Sequence, residues 1–102
     1  MTDLEISKAL AIAIGYTDGD SNATRNIQKV CADFSVQIQV WFNSSWRTFD
    51  YRDWNVIGPI AAKYNWFPAR QQNGWRVPFT ENFEQYDTPQ KAIALAVIGG
   101  KK

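Results

Sequence analysis

The sequence predicts an α+β domain, with an antiparallel sheet of about four strands and three helices in the order α-β-β-α-β-β-α. Three observations lead there. A capping box precedes an apolar helical stripe near the N-terminus, Ser35 to Phe42 alternates apolar and polar residues, and Thr88-Pro89 opens a second apolar stripe near the C-terminus. The 102 residues read as one domain, 1–102, because two domains of half that length would each bury too small a core. A hydrophobic fraction of 45% suits a folded chain and not a disordered one.

The first helix begins at Thr2-Asp3-Leu4-Glu5, where Thr2 can accept from the backbone three residues on and Glu5 can reach back. Ile6, Leu10 and Ile14 recur every four residues with Ala9 and Ala13 beside them, Ser7 and Lys8 fall off the stripe, and Gly15 ends the helix. Tyr16 to Thr24 is rich in turn formers and reads as a polar loop. In the strand Ser35 to Phe42, Val36, Ile38, Val40 and Phe42 point one way and Ser35, Gln37, Gln39 and Trp41 the other. Asn43-Ser44-Ser45 is a turn, and Trp46 to Phe49 returns as a short antiparallel strand.

Asp50 or Asp53 caps a second helix that runs to about Tyr64, with Trp54, Ile57, Ala61 and Tyr64 on one face and a kink or restart expected at Gly58-Pro59. A hairpin follows. A three-residue loop, Gln72-Asn73-Gly74 with Gly74 left-handed, gathers Phe67, Ala69, Trp75, Val77 and Phe79 on one face and makes Arg70 and Arg76 direct neighbours on the other. Thr80 to Asp87 is irregular. Thr88 then caps a third helix with Pro89 in its first turn, Ile93 and Val97 inward, and Gly99-Gly100 as its stop.

Composition excludes several routes to chemistry. No His means no Ser-His-Asp triad, no Cys-His pair and no imidazole metal ligand, and one Cys cannot form an internal disulfide. A net charge of +1 lacks the basic excess of a duplex-binding protein. No apolar stretch approaches the ~20 residues of a membrane span, and the polar start at Thr2, Asp3 and Glu5 is no signal peptide. Together with the single thiol, this makes a cytoplasmic location the expectation, with no cofactor and no membrane partner.

The remaining candidates each have a structural and a functional reading. Asp18 and Asp20, with Asp33 further on, resemble a calcium loop, but position 29 is Lys where the closing Glu belongs, so they read as a turn. Asp50 and Asp53 are spaced for an acid/base pair or for helix capping. Cys31 lies between Val30 and Ala32 with only Lys29 nearby as a cation, and reads as a buried structural thiol. Trp54, Tyr64, Phe67, Trp75 and Phe79 fall on apolar faces and read as core. Trp41 falls on the polar face of its strand, and Trp46-Arg47 follows the turn; either another element covers this face or it is an interface. Arg70 and Arg76, opposed across the hairpin, either turn to water or to an acid such as Glu81 or Glu84, or together hold a carboxylate or phosphate.

Three segments carry a family resemblance. Thr2-Asp3-Leu4-Glu5-Ile6-Ser7-Lys8-Ala9-Leu10 with its apolar continuation to Gly15, Phe49-Asp50-Tyr51-Arg52-Asp53-Trp54-Asn55-Val56-Ile57-Gly58-Pro59-Ile60 running to Lys63-Tyr64, and Thr88-Pro89-Gln90-Lys91-Ala92 together resemble the NinX-like group of small tailed-phage and prophage proteins. The likeness covers about a third of the chain and leaves out Ser35 to Phe42 and the hairpin Phe67 to Phe79. It implies a phage-encoded accessory protein and transfers no catalytic residue.

The expectation is therefore a non-enzymatic inhibitor that docks on a host defence protein or ribonucleoprotein complex, a CRISPR effector being the most specific version. Trp41, Trp46, Arg47, Arg70 and Arg76 are its contact residues. A second reading is a single-strand nucleic-acid binder that stacks bases on the aromatics. A third is a small enzyme or nucleotide sponge built on Asp50 and Asp53 or on Arg70 and Arg76.

Overall fold

In a computed structural model, residues 2–18, 26–32, 35–42, 44–78 and 84–100 are described. The architecture is α+β with three helices and largely antiparallel sheets. Residues 1–50 form one compact unit and residues 51–102 another.

The first unit holds α1 (Asp3–Ala13), β1 (Thr17–Asp18), β2 (Asn26–Ala32), β3 (Ser35–Phe42) and β4 (Ser45–Thr48). The capping box forms as its sequence predicts: the Glu5 backbone N–H donates to Thr2 Oγ1 at 3.2 Å, and the Thr2 N–H donates to Glu5 Oε1 at 3.1 Å. At the other end, Gly15 adopts φ 112° and the Tyr16 N–H reaches the Ala11 carbonyl, so the freed carbonyls of the last turn find donors. The buried stripe is Ile6, Ser7, Leu10 and Ala11. It is rotated from the expected one, for Ser7 is only 3% exposed while Ile14 is half-buried. Small Ser7 and Ala11 let the helix approach β3 closely, which a stripe of Ile and Leu alone would not allow.

The four strands run in the order β1-β2-β3-β4, with β1 parallel to β2 and the other neighbours antiparallel. This corrects the expected sheet, which drew its four strands from two hairpins. β1 and β2 occupy chain that carries turn formers and no clean alternation, since Lys29 stands between Ile27 and Cys31 on one face. β2 forms because β3 offers it a full ladder from Ile27↔Val40 to Ala32↔Ser35. Ile27, Ile38, Val40 and Phe49 are buried with the inner stripe of α1, and the rings of Tyr16 and Phe49 meet at 6.2 Å.

The second unit holds α2 (Trp54–Tyr64), the hairpin β5 (Ala69–Gln71) and β6 (Gly74–Arg76), and α3 (Pro89–Gly100). Asp53 caps α2 by accepting from the Asn55 N–H at 2.9 Å, and Asn65 in the left-handed region closes it. Of the kink or restart expected at Gly58-Pro59, the restart does not occur: one helix runs through both residues. Pro59 and Asn55, whose carbonyl loses its helical donor to the proline, both lie on the exposed side. Buried Ile57, Ile60 and Ala61 face α3, which buries Ala92, Ile93, Ala94, Ala96 and Val97. Trp54 and Phe67 are not core as expected: they are 52% and 56% exposed, because the inward face of α2 is centred on Ile57 and Ile60, past its first turn, and Phe67 precedes the hairpin. Thr88 caps α3 through Oγ1 to the Lys91 N–H at 3.2 Å, and the helix continues through Gly99-Gly100 instead of stopping before them.

β5 and β6 form their own two-stranded sheet, and their register differs from the expected one. The pairs are Ala69↔Arg76, Arg70↔Trp75 and Gln71↔Gly74, so Gln72 and Asn73 make the turn and Gly74 is the first residue of β6. The segment 84–86 decides this. Trp75 and Tyr86 exchange backbone hydrogen bonds at 2.7 and 2.8 Å, and Gln85 Oε1 accepts from the Asn73 N–H at 2.7 Å. Gly74 sits at φ 154°, and a Cβ there would clash with the Tyr86 carbonyl oxygen. Gly74→Ala therefore loses about 1–3 kcal/mol through overpacking, read by urea unfolding; a neutral result overturns this account of the register.

The capping box also predicts a pH dependence. The Thr2 backbone N–H, and next the Thr2 hydroxyl, hold the Glu5 carboxyl below its ordinary value of 4.5. A depressed carboxyl contributes stability above the ordinary value and loses it as pH falls through the folded one. Glu5→Gln removes that contribution. The stability gap between the native chain and the variant stays constant above about pH 4.5 and changes only below it, which unfolding curves across pH 2–7 check.

Candidate functional site

The hydrogen-bond phase of the β3–β4 ladder builds the site. Phe49 N–H donates to the Ile38 carbonyl at 2.7 Å. Positions along an antiparallel pair alternate, so Val40↔Arg47 and Phe42↔Ser45 are hydrogen-bonded pairs, whereas Gln39↔Thr48 and Trp41↔Trp46 are not. Side chains approach most closely at the second kind of pair. Trp41 and Trp46 accordingly meet edge to face, with ring centroids 5.4 Å apart and planes at 68°. The reversal that brings them together is a tight turn with Ser44 at φ 64°.

Around the two indoles lies a band of uncharged polar groups. Gln28 Nε2 donates to Gln39 Oε1 at 2.8 Å across β2–β3, and Thr48 Oγ1 donates to Gln37 Oε1 at 3.2 Å across β3–β4. These contacts span the face opposite α1 and hold the amides in fixed orientations. Trp41, Gln28, Gln37 and Gln39 are half-buried, Thr48 is exposed and Trp46 is 38% exposed. The face therefore offers a rigid apolar pair beside oriented amide and hydroxyl groups, which is the make-up of an interface core with a polar rim.

Arg47 projects from the other face of β4, opposite Val40, and is exposed. It is a rim residue next to the Trp pair and does not join the Trp surface. Arg70 and Arg76 do not form the expected pair. Cross-strand partners share a face, so Arg70 lies with Trp75 and Arg76 with Ala69, on opposite sides of the hairpin. The two-residue turn imposed by segment 84–86 separates them. The Arg70 guanidinium instead lies 5.8 Å from the centroid of the Trp75 ring, within cation–π range. Both arginines belong to the second unit.

The other candidates place as follows. Asp53 is the N-cap of α2, while Asp50 falls in the first unit. Cys31 pairs with Val36 in the β2–β3 ladder; its side chain, that of Asp18, and Asp20, Asp33, Phe79, Glu81 and Phe83 lie outside the described residues. Among the described residues no three His, Cys, Asp or Glu stand together as a metal site, and no helix is long and apolar enough to cross a membrane. Sequence reasoning found Trp41, Gln37 and Gln39 on one face but missed Gln28 and Thr48. Thr48 follows from the ladder register; Gln28 had no signal, because β2 itself was not expected.

Comparison with protein-family models, characterised proteins and solved structures finds no match to this chain.

The edge-to-face geometry carries its own prediction. A double-mutant cycle with Trp41→Ala and Trp46→Ala gives a coupling of about 0.5–1.5 kcal/mol in unfolding free energy. The exciton couplet of the paired indoles in the circular dichroism spectrum disappears in either single variant. Additive losses with the couplet retained would remove the pair from the account.

Proposed function

We propose that this protein is a non-enzymatic binding protein that docks on a protein partner through the Trp41–Trp46 face of its four-stranded sheet. The observation that carries this reading is the indole pair itself, with Trp46 38% exposed on a rigid strand pair and Gln28, Gln37, Gln39 and Thr48 beside it. Tryptophan is enriched among residues that dominate binding energy, and two indoles preorganised by each other lose little entropy on docking. Within the first unit the contact set is Trp41, Trp46 and, at its rim, Arg47.

The likeness of the three sequence segments to NinX-like phage proteins supports the finer form of the proposal. The partner is then a host defence protein or ribonucleoprotein complex in the bacterial cytoplasm, with a CRISPR effector complex the most specific case, and the protein inhibits it by occupying a surface.

The test is affinity capture of tagged protein from a lysate of a CRISPR-bearing host, with Trp41→Ala and Trp46→Ala run beside the native chain after their folding is verified. The expected result is an effector subunit that co-purifies with the native chain and is depleted about tenfold or more by each variant, as for a hot-spot residue costing at least ~2 kcal/mol. An effector retained equally by all three proteins would overturn the site. Binding to single-stranded oligonucleotides that falls steeply with salt and depends on the same tryptophans would replace the protein partner with nucleic acid.

A further inference from the structure

The hairpin turn of the second unit holds a reactive pair. Asn73 alone among the asparagines is followed by Gly. In such a pair the backbone nitrogen of the second residue can attack the side-chain carbonyl carbon of the first, because no Cβ on the second residue stands in the way. The electrophile is accessible: Asn73 is exposed, and its bond to Gln85 uses the backbone N–H and not the side-chain amide. The nucleophile is held. Trp75 gives its N–H and C=O to Tyr86, so both point away from β5, and Arg70↔Trp75 is a pair without hydrogen bonds of its own. By alternation its neighbour Gln71↔Gly74 is a hydrogen-bonded pair, which sets the Gly74 N–H on the Gln71 carbonyl. Gly74 is also buried, against the Tyr86 backbone.

We propose that Asn73 is a site of spontaneous covalent modification, where it closes to a succinimide with the Gly74 nitrogen, and that docking of segment 84–86 sets the rate. The inference concerns the second unit and is independent of the Trp41–Trp46 face. In the first step the Gly74 nitrogen gives up its proton and bonds to Asn73 Cγ. The Cγ–Nδ2 bond breaks, and the side-chain nitrogen leaves with that proton as ammonia. Water then adds to either carbonyl of the ring. One opening leaves an aspartate in an ordinary backbone. The other leaves an isoaspartate, in which the backbone runs through Cγ and the α-carboxylate becomes the side group. Either product adds a negative charge, and water is the one co-reactant.

Segment 84–86 restrains the reaction at two points. Attack requires the Asn73–Gly74 peptide plane to turn until the nitrogen faces Cγ, which takes the Gly74 N–H off the Gln71 carbonyl. The Trp75–Tyr86 bonds at 2.7 and 2.8 Å, and the Tyr86 backbone against Gly74, oppose that rotation. Gln85 Oε1 holds the preceding peptide plane through the Asn73 N–H at 2.7 Å. The reaction therefore passes through a local opening of the hairpin end, and its rate is that of the free chain scaled by the open fraction. The product acts back on the segment. An isoaspartate lengthens the backbone of the Gln72-Asn73 turn by one carbon, so β6 no longer meets β5 and segment 84–86 in the same register. The close fit of Gly74 against Tyr86 is lost, and the segment is released by a one-way chemical change.

The test incubates the full chain at mildly alkaline pH, folded and in urea. Trypsin, cutting after Arg70 and Arg76, frees the stretch from Gln71 to Arg76. Mass spectrometry of that peptide reads the amide-to-acid change, and an isoaspartate-specific methyl transfer reads the isomer. The expected result is conversion in both samples, about tenfold or more slower in the folded chain. Asn73→Gln abolishes it. Gln85→Ala, at an exposed position, speeds conversion of the folded chain about fivefold, as loss of one hydrogen bond of ordinary net strength supports. Gln85→Glu keeps an acceptor and stays near the native rate. In the converted protein, the Trp75 and Tyr86 amides exchange with solvent about tenfold or more faster than in the native one.

No conversion in the folded chain, or equal rates folded and in urea, overturns the inference; this arm holds even if Gln85→Ala does not fold. Product that persists in Asn73→Gln overturns the residue assignment. A native rate in Gln85→Ala, or equal acceleration by Gln85→Ala and Gln85→Glu, overturns the restraint by Gln85. Unchanged exchange of Trp75 and Tyr86 after conversion keeps the site and overturns the release of the segment.

Discussion

The backbone hydrogen bond from Phe49 N–H to the Ile38 carbonyl sets the phase on which the first unit depends. Ladder alternation allows two outcomes, and the other one would place the indole positions in hydrogen-bonded pairs. There the Cα atoms stand about 5.5 Å apart instead of about 4.5 Å, and the rings would meet less closely. The same phase commits the N–H and C=O of Trp46 and Thr48 to the outer edge. Ring packing on one face and hydrogen-bonding capacity at the edge are thus two consequences of one choice of pairing, and they cannot be altered independently by changing the turn.

A comparable constraint governs the second unit from a different source. The hairpin contains Asn73-Gly74, a strong local turn signal, yet its turn is Gln72-Asn73. Segment 84–86 satisfies three backbone groups of the hairpin in this arrangement: the N–H and C=O of Trp75 and the N–H of Asn73. Each such bond is worth only about 1 kcal/mol net, but together they outweigh a one-residue preference in turn type. Gly74 serves the third strand-like segment by lacking a Cβ, and that role was hidden behind its more familiar one in turns. The separation of Arg70 from Arg76, and the placing of Arg70 over Trp75, follow directly.

Local signals were legible where one residue's chemistry decides one bond. Thr2 with Glu5 and Thr88 cap as their side chains suggest, and of Asp50 and Asp53 it is Asp53 that caps α2, because a cap needs only its own turn. The alternation of β3 was legible too, and with it the shared face of Gln37, Gln39 and Trp41. Helix faces were less so. Ser7 is buried in α1 and Trp54 is exposed in α2, since the helix centre and its neighbour's shape choose the inward arc, and hydrophobicity alone does not.

Legible in the sequence alone were the α+β class, three helices, the N-caps of α1 and α3, the alternating strand β3 and the absence of an imidazole or an internal disulfide. These follow from composition and from interactions spanning at most a few residues. Long-range pairing was needed to establish that β2 exists, that Trp41 stands edge to face with Trp46, that β4 is the last strand of its sheet among the described residues, and that Arg70 and Arg76 part company. Each of these depends on which strand pairs with which and in what phase. A shift of one residue changes every cross-strand neighbour while leaving the local pattern almost unchanged.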